Sequence, residues 1–345
     1  MFPISAADAI SPAIQRTRTF LFRPFRLGTY LKLCLVALIT EGVGGSGNFN
    51  TGSHYTNHKT TVGSFAPFAF TPERIAEAVF ASLLVILLCF WLAWLITRLR
   101  FAFFHCLIHN VKEIRPGWHI YREPATRFFW LNVVVGICFV LLLVIIAIPF
   151  LAGFLGLFHN IAAGGHPDLG SILALVLPLI PIILVLVLGG IAVDVILRDF
   201  MLPHYALENA TAGQAWSAVW ARIRAQKGSF LGYAVLRILL PIVAVIGLFI
   251  ILILPAIIFV VIIAAVEVAL HVAFSGGAAM VGIFLQVLVG VIAFAMALLA
   301  WIVVGGPLST AIRQYAILFY GSRYQSLGNI LFPPPPVAPP APGTA

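Results

Sequence analysis

The sequence predicts an all-α integral membrane bundle of about six transmembrane helices with interfacial amphipathic helices on the cytoplasmic side, and three observations carry that prediction. Hydrophobic residues make up 62% of the 345-residue chain and charged residues only 9%, more apolar surface than a water-soluble core of this length hides. The apolar residues gather into long stretches, and crossing ~30 Å of hydrocarbon takes about 20 of them. Lys and Arg crowd one side of the stretches: of twenty, only Lys59 and Arg74 fall on the other. By the positive-inside rule the crowded side faces the cytoplasm. Both termini are then cytoplasmic, in a multi-pass protein of the cell inner (plasma) membrane.

Residues 1–26 read as an N-terminal interfacial helix, residues 27–327 as the six-span membrane domain, and residues 328–345 as a proline-rich disordered tail. The spans are expected near 27–45, 75–104, 128–158, 171–197, 230–266 and 279–305. The first is the weakest, with Lys32 inside it and Glu41 and a glycine run behind it; Lys32 is expected to snorkel to the inner interface. Arg23 and Arg26 before a short apolar run mimic a signal peptide. No small-x-small cleavage site follows Ile39, so the run reads as an uncleaved anchor. Residues 42–70, rich in Gly, Ser, Thr and Asn, read as a mobile external loop. Thr71-Pro72-Glu73 then supplies a capping hydroxyl, a proline at the first helical position and an acid in the first turn. Residues 160–170 and 267–277 are short external turns without Lys or Arg. Pro178 and Pro181 should distort the fourth span. The fifth, about 55 Å long at 1.5 Å per residue, should bend at Pro241 and Pro255, either as packing detail or as a broken helix lining a substrate path.

Residues 5–18 echo residues 211–224: Ala6/Ala212, Ala9/Ala215, Ser11/Ser217, Arg16/Arg222 and Arg18/Arg224 coincide. The even-numbered spans also end alike, in Leu99-Arg100, Leu197-Arg198 and Ile312-Arg313. The pattern reads as three repeats of interfacial helix, span, external turn, span.

Candidate functional residues fall in two groups. All seven tryptophans lie toward the basic side, whereas aromatic belts normally mark both interfaces. Thr211-x-x-Gln214 has the form of a capping box. Behind it Trp216, Val219, Trp220 and Ile223 share a helical face, with Gln214, Ser217, Arg222 and Lys227 largely elsewhere. That is an amphipathic helix on the inner leaflet, and Trp216, Trp220, Arg222, Arg224 and Lys227 form a candidate lipid interface. The second group is intramembrane. Asp194 sits well inside an apolar run, where an unpaired charge costs ~3 kcal/mol or more. Arg198, at i+4, or Arg237, at a comparable depth in the next span, is its expected partner, in a structural ion pair or a relay. Gln286 is expected to hydrogen-bond between helices.

Several chemistries lack support. His105, His109 and Glu113 share a helix face beside Cys106, a spacing zinc uses, but without an HExxH arrangement; no metal and no cofactor is expected. His54, His58, His159, His166 and His271 are expected on the external side, where they make a similarly weak case for a metal. The four cysteines have no CxxC spacing and predict no disulfide framework. No Walker loop, GxGxxG unit or GxSxG elbow occurs, so no enzyme is expected. Basic residues at span ends among tryptophans favour anionic lipid headgroups over nucleic acid as counter-charge.

Residues 200–208, Phe-Met-Leu-Pro-His-Tyr-Ala-Leu-Glu, followed by Ala215-Trp216, Trp220 and Phe230-Leu-Gly-Tyr233, resemble a pattern in bacterial polytopic membrane proteins of unknown function. These are similar to the membrane domain attached to some glycerophosphoryl diester phosphodiesterases. Arg23-Pro24-Phe25 fits the same picture. The resemblance covers the six-span body and implies no catalytic residue, because the phosphodiesterase chemistry belongs to a separate soluble barrel. It implies that Pro203 and Glu208 are structural, ordering the loop into the interfacial helix. The leading expectation is a non-enzymatic protein that binds or organises lipid, or supports a membrane complex with a protein partner or a second copy of itself. The alternative is a transporter or channel with a path lined by spans four and five around Asp194.

Overall fold

The computed structural model describes residues 4–42, 72–162, 168–274 and 279–333, and these are helical throughout with short connections and no strand among them. The expected loop after Gly42, His54, His58, His166 and the tail from 334 onward lie outside the described residues. In chain order the helices are α1 (Ile10–Phe22), α2 (Leu27–Ala37), which continues as a π-helical turn over Leu38–Gly42, α3 (Pro72–His109), α4 (Ile114–Ile120) and α5 (Arg122–Ala162). Then come α6 (Leu169–Val176), α7 (Leu179–Val195), a second π-helical turn over Ile196–Met201, α8 (Leu202–Glu208), α9 (Ala212–Ala225), α10 (Lys227–Ala273), α11 (Ala279–Gly321) and α12 (Gln325–Leu331). A short helix followed by two apolar segments recurs three times, led by α1, α4 and α9, the order the internal echo implies.

Among the described residues, five helices are long and apolar enough to cross a membrane: Ile75–His109, Arg122–Ala162, Ile172–Glu208, Lys227–Ala273 and Met280–Gly321. The expected first span is eleven residues of α-helix and five of π-helix, about 24 Å at ~1.5 Å per residue. Glu41 and the glycines behind it stop the apolar run before it reaches spanning length. This segment packs instead on α11 and α3. Two further expectations shift. The backbone breaks at Leu177 and Pro178, between α6 and α7, as the prolines there imply. Pro241 and Pro255, by contrast, lie inside an uninterrupted α10 of 47 residues. The helical body also extends into the expected tail, because α12 runs to Leu331.

The buried hydrophobic core lies at one end of the bundle. The buried core draws on α1, α2, the end of α3 from Thr97, the start of α5, residues 197–205, Phe230 and Tyr233 of α10, the end of α11 from Ser309, and α12. Phe20, Phe101, Phe103, Phe104, Phe128 and Phe319 fill it with rings, joined edge-on in pairs such as Phe101–Phe128 at 5.5 Å. This is the basic end, and we call it the base. Beyond it the helices run outward with apolar side chains exposed: Val85, Ile145, Leu184, Ile250 and Val291 are all more than half accessible. Side chains of this kind on unpartnered helix faces have lipid as their solvent. The base thus carries the polar architecture, and the outer lengths carry the membrane-facing surface.

Early and late segments of the described chain meet in the base. The Ile4 N–H donates to Ser322 Oγ at 3.3 Å, the Tyr30 hydroxyl donates to the Val303 carbonyl at 2.8 Å, and α1 and α2 both lie along α11. The crossing of α2 and α11 is close because position 306 is glycine. A Cβ there would stand 2.2 Å from Cys34 Cβ and 2.6 Å from its Cα. Gly306→Ala is therefore expected to destabilise the base by about 1–3 kcal/mol, the usual cost of overpacking. Gly247→Ala on α10, where a Cβ meets nothing within 4 Å, is expected to leave stability equal or slightly higher; thermal unfolding of both variants in one detergent checks the pair.

Candidate functional site

Both π-helical turns end at the same place. A π turn adds a residue to the helical register and rotates the side chains that follow it. The first presents Thr40 and Glu41, the second Arg198 and Asp199. Between them lies a network of ion pairs in the buried base. Asp199 is at its centre, with its side chain fully inaccessible. Its Oδ2 accepts from the Tyr233 hydroxyl at 2.7 Å and from Arg237 Nε at 3.0 Å, and its Oδ1 accepts from Arg313 Nη1 at 2.9 Å. Arg313 Nη1 also donates to the Arg198 carbonyl at 2.9 Å.

Arg198, itself buried, donates through Nη1 to Asp194 Oδ2 at 2.9 Å and through Nη2 to Glu41 Oε2 at 2.9 Å and the Thr40 carbonyl at 3.0 Å. Glu41 lies a further 3.7 Å from Arg237 and 3.6 Å from Arg313. Arg100 completes the group, its Nε donating to the same Thr40 carbonyl at 3.1 Å. Removing such charges from water costs several kcal/mol per ion, and only dense mutual pairing offsets it. The network provides that pairing by drawing on α3, α7, α10, α11 and both π turns.

The sequence-predicted intramembrane residues are all here, in a different arrangement. Asp194 is paired with Arg198, as the i, i+4 spacing implies. Arg237 turns to Asp199 and Glu41 instead. Asp194 is also not the most deeply placed acid: its side chain is 37% exposed, whereas that of Asp199 is fully enclosed. Sequence reasoning missed Asp199, Glu41, Tyr233, Arg100 and Arg313 as members. The arginine closing each even-numbered span was the available signal, since those three arginines are the ones that converge.

A second polar cluster fixes α8, α9 and α12 together. His204, buried at 1% exposure, meets Glu208 Oε2 through Nδ1 at 3.1 Å and the Tyr320 hydroxyl through Nε2 at 2.8 Å. The other Glu208 oxygen accepts from Ser326 Oγ at 3.0 Å. Asn209, in the left-handed region at φ 51, ends α8 and turns the chain into α9. Pro203 is buried within α8. Burial, with the Glu208 carboxylate nearby, pushes the Tyr324 phenol above the ordinary tyrosine range.

The capping box at the start of α9 is present, the Thr211 N–H donating to Gln214 Oε1 at 3.0 Å. Ala215 and Val219 are the buried seam of the helix. Trp216 and Trp220 are exposed and stacked, with ring centroids 5.9 Å apart and planes 8° apart. Arg224 lies 5.2 Å over the Trp220 ring, and Lys227 is exposed at the start of α10. Arg222 departs from the expected lipid interface. It turns inward, 3.5 Å from His204 Nε2 and 5.1 Å over the Tyr324 ring, because it falls on the same side of α9 as the buried seam.

The remaining candidates are accounted for locally. His105 and His109 lie with rings 4.6 Å apart, His105 Nδ1 is 3.4 Å from the Tyr121 hydroxyl, and Cys106 Sγ donates to the Glu113 carbonyl. No group of three or more His, Cys, Asp or Glu able to hold a metal occurs among the described residues. Gln286 Nε2 donates to the Glu267 carbonyl at 3.3 Å, joining α11 to α10.

A family model described as a family of unknown function, DUF7544, matches residues 4–330. The chain belongs to that family. No curated protein and no solved structure matches it.

Asp199 and Asp194 should differ sharply in what they contribute. Asp199→Asn leaves Arg237 and Arg313 short of a buried anion and is expected to cost about 3–5 kcal/mol. Asp194→Asn removes one partner from an arginine that keeps Glu41 and is expected to cost about 1 kcal/mol or less. Thermal midpoints of the two variants in one detergent decide it; equal losses would contradict the central place given to Asp199.

Proposed function

We propose that this member of a family of unknown function is a non-enzymatic membrane protein that binds and organises anionic lipid at its basic end. The observation that carries the reading is the stacked, exposed Trp216–Trp220 pair on a helix fixed to the base by Ala215, Val219 and Arg222. Two parallel indoles left open on a rigid helix suit the headgroup boundary, where an amphipathic ring is at home. Arg224 over Trp220 and the exposed Lys227 add positive charge beside them, and each basic group near an anionic surface is worth about 1 kcal/mol. Arg98, held between Trp94 at 4.9 Å and Trp118 at 4.3 Å, extends the same combination of indole and guanidinium around the base. On this reading the basic end faces the cytoplasm, where anionic lipid is the counter-charge. The resemblance of residues 200–208 to the membrane domain attached to some phosphodiesterases adds no catalytic residue to it. The ion network favours a structural role for Asp194 over a relay, since the partner of Asp194 is itself held by Glu41 and Thr40.

In native mass spectrometry from gentle detergent with titrated phosphatidylglycerol, Trp216→Ala combined with Trp220→Ala is expected to weaken lipid retention about tenfold, or ~1.4 kcal/mol, with an unchanged thermal midpoint. Undiminished retention would refute the lipid reading. Ion or solute flux in proteoliposomes that Asp194→Asn abolishes without unfolding would support a transporter in its place.

A further inference from the structure

Among the described residues the ion network holds four arginines against three carboxylates. Arg100, Arg198, Arg237 and Arg313 face Glu41, Asp194 and Asp199. Each of the other three arginines contacts at least one of these carboxylates. Arg100 forms an ion pair with none of them among the described residues, although Glu41 and Asp194 act on its charge at longer range; its one hydrogen bond there is the donation from Nε to the Thr40 carbonyl. That carbonyl already accepts from Arg198, so two guanidinium groups of like charge converge on a single oxygen. Arg100 is partly buried, and a cation held there beside another needs an anion.

The chain has no acid left to supply it. It contains eleven Asp and Glu. Asp8 takes the Ser5 hydroxyl, Glu123 pairs with Arg127, and Glu208 is held by His204 and Ser326. Glu113 is exposed at the start of α4. Glu73 and Glu77 stand at the opposite end of α3, about 35 Å or more from Arg100 at 1.5 Å per residue. Asp168 and Glu267 belong to the far ends of the apolar helices. Residues 43–71, 163–167, 275–278 and 334–345 contain no Asp or Glu.

We propose that Arg100 is the anchor of a binding site for one phosphate group, carried by a phospholipid or free in solution. A guanidinium presents a planar fork of donors that matches phosphate oxygens two at a time. Only Nε of this fork is engaged with the protein among the described residues, which leaves the two terminal nitrogens for the ligand. Arg98 and its flanking Trp94 and Trp118 lie within two turns of Arg100 on the same helix or against it, at the level where indoles meet headgroups. The bound phosphate would restore neutrality to the four arginines and let Arg100 and Arg198 share the Thr40 carbonyl. The site lies on α3 and the first π turn, apart from α9, and does not depend on Trp216 or Trp220.

The test uses the full chain in gentle detergent. Phosphatidylglycerol, inorganic phosphate and chloride at matched ionic strength are added separately to the wild type, Arg100→Gln and Arg100→Lys. One phosphatidylglycerol retained by the wild type, bound at least tenfold more weakly by Arg100→Gln and partly recovered by Arg100→Lys, is the expected result for a lipid phosphate. Stabilisation of the wild type by inorganic phosphate, absent in Arg100→Gln, is the expected result for a free one. Because Arg100→Gln removes the surplus charge, it should be at least as thermostable as the wild type without ligand. Unfolding of Arg100→Gln would overturn the proposal by making Arg100 a structural donor to Thr40. So would equal effects of chloride and phosphate, or Arg100→Gln binding like the wild type. The Trp216→Ala, Trp220→Ala variant keeps this site, so failure here and failure of the α9 reading give different patterns of lost lipid.

Discussion

Everything in the base depends on keeping Asp199 ionised and enclosed. A carboxylate with no access to water is stable only if donors surround it, and those donors come from Tyr233, Arg237 and Arg313 on two different long helices. Each arginine brought in then needs its own anion or carbonyl. That requirement recruits Glu41 and Thr40 from the first π turn and the Arg198 carbonyl from the second. Hydrophobic burial alone does not choose among the ways five apolar helices might lie side by side, because lipid is as good a solvent for them as their neighbours are. The charges do choose. A guanidinium in the wrong rotational setting is an unpaired ion, so the network sets the rotation of α3, α7, α10 and α11 about their axes. The π turns are the local adjustments that permit it.

The molecule is consequently two materials in one chain. The base is dense, aromatic and polar-centred, while the outer lengths of the same helices are almost featureless aliphatic rods. A rigid base lets α9 present two indoles at a fixed orientation, since its inner side is bolted through Arg222 to His204 and Tyr324. It also holds Arg100, a guanidinium with no ion-pair partner among the described residues, at a defined place. Both features lie at the basic end, and the proposed recognition of negatively charged groups rests on them. The aliphatic lengths contribute bulk placement in the bilayer.

Much of this was legible in the sequence, and the failures have physical causes. The fold class followed from composition because no soluble solution exists for so much apolar surface. The break at Pro178 and the Asp194–Arg198 pair were readable because both are local, the pair being one helical turn apart. Asp199 was not readable: its partners are 34, 38 and 114 residues away, and beside Arg198 it looked like an ordinary span exit. The expected first span was the least legible, because Lys32 and Glu41 interrupt its apolar run and its end falls outside the described residues. Arg222 was misassigned because a helical wheel identifies an amphipathic helix without saying which flank meets protein. The recurring arginine at the ends of the even spans was visible as a repeat. Its meaning, convergence on the Thr40 and Arg198 carbonyls and on Glu41, Asp194 and Asp199, appears only when the helices are brought together.

The joining of early and late segments has a consequence for biosynthesis. Glu41 and the helix before it emerge well before Arg313, the Val303 carbonyl and Ser322, which hold that region in place. Ring closure over nearly the whole chain is the slow, non-local kind of contact. Until α11 arrives, Arg198, Asp199 and Glu41 have an incomplete set of partners and stay solvated at the water-facing edge of the bilayer. The apolar helices can therefore enter lipid one after another, while the base waits and seals in a single late step. A chain cut short before α11 would insert in the membrane and still lack a core.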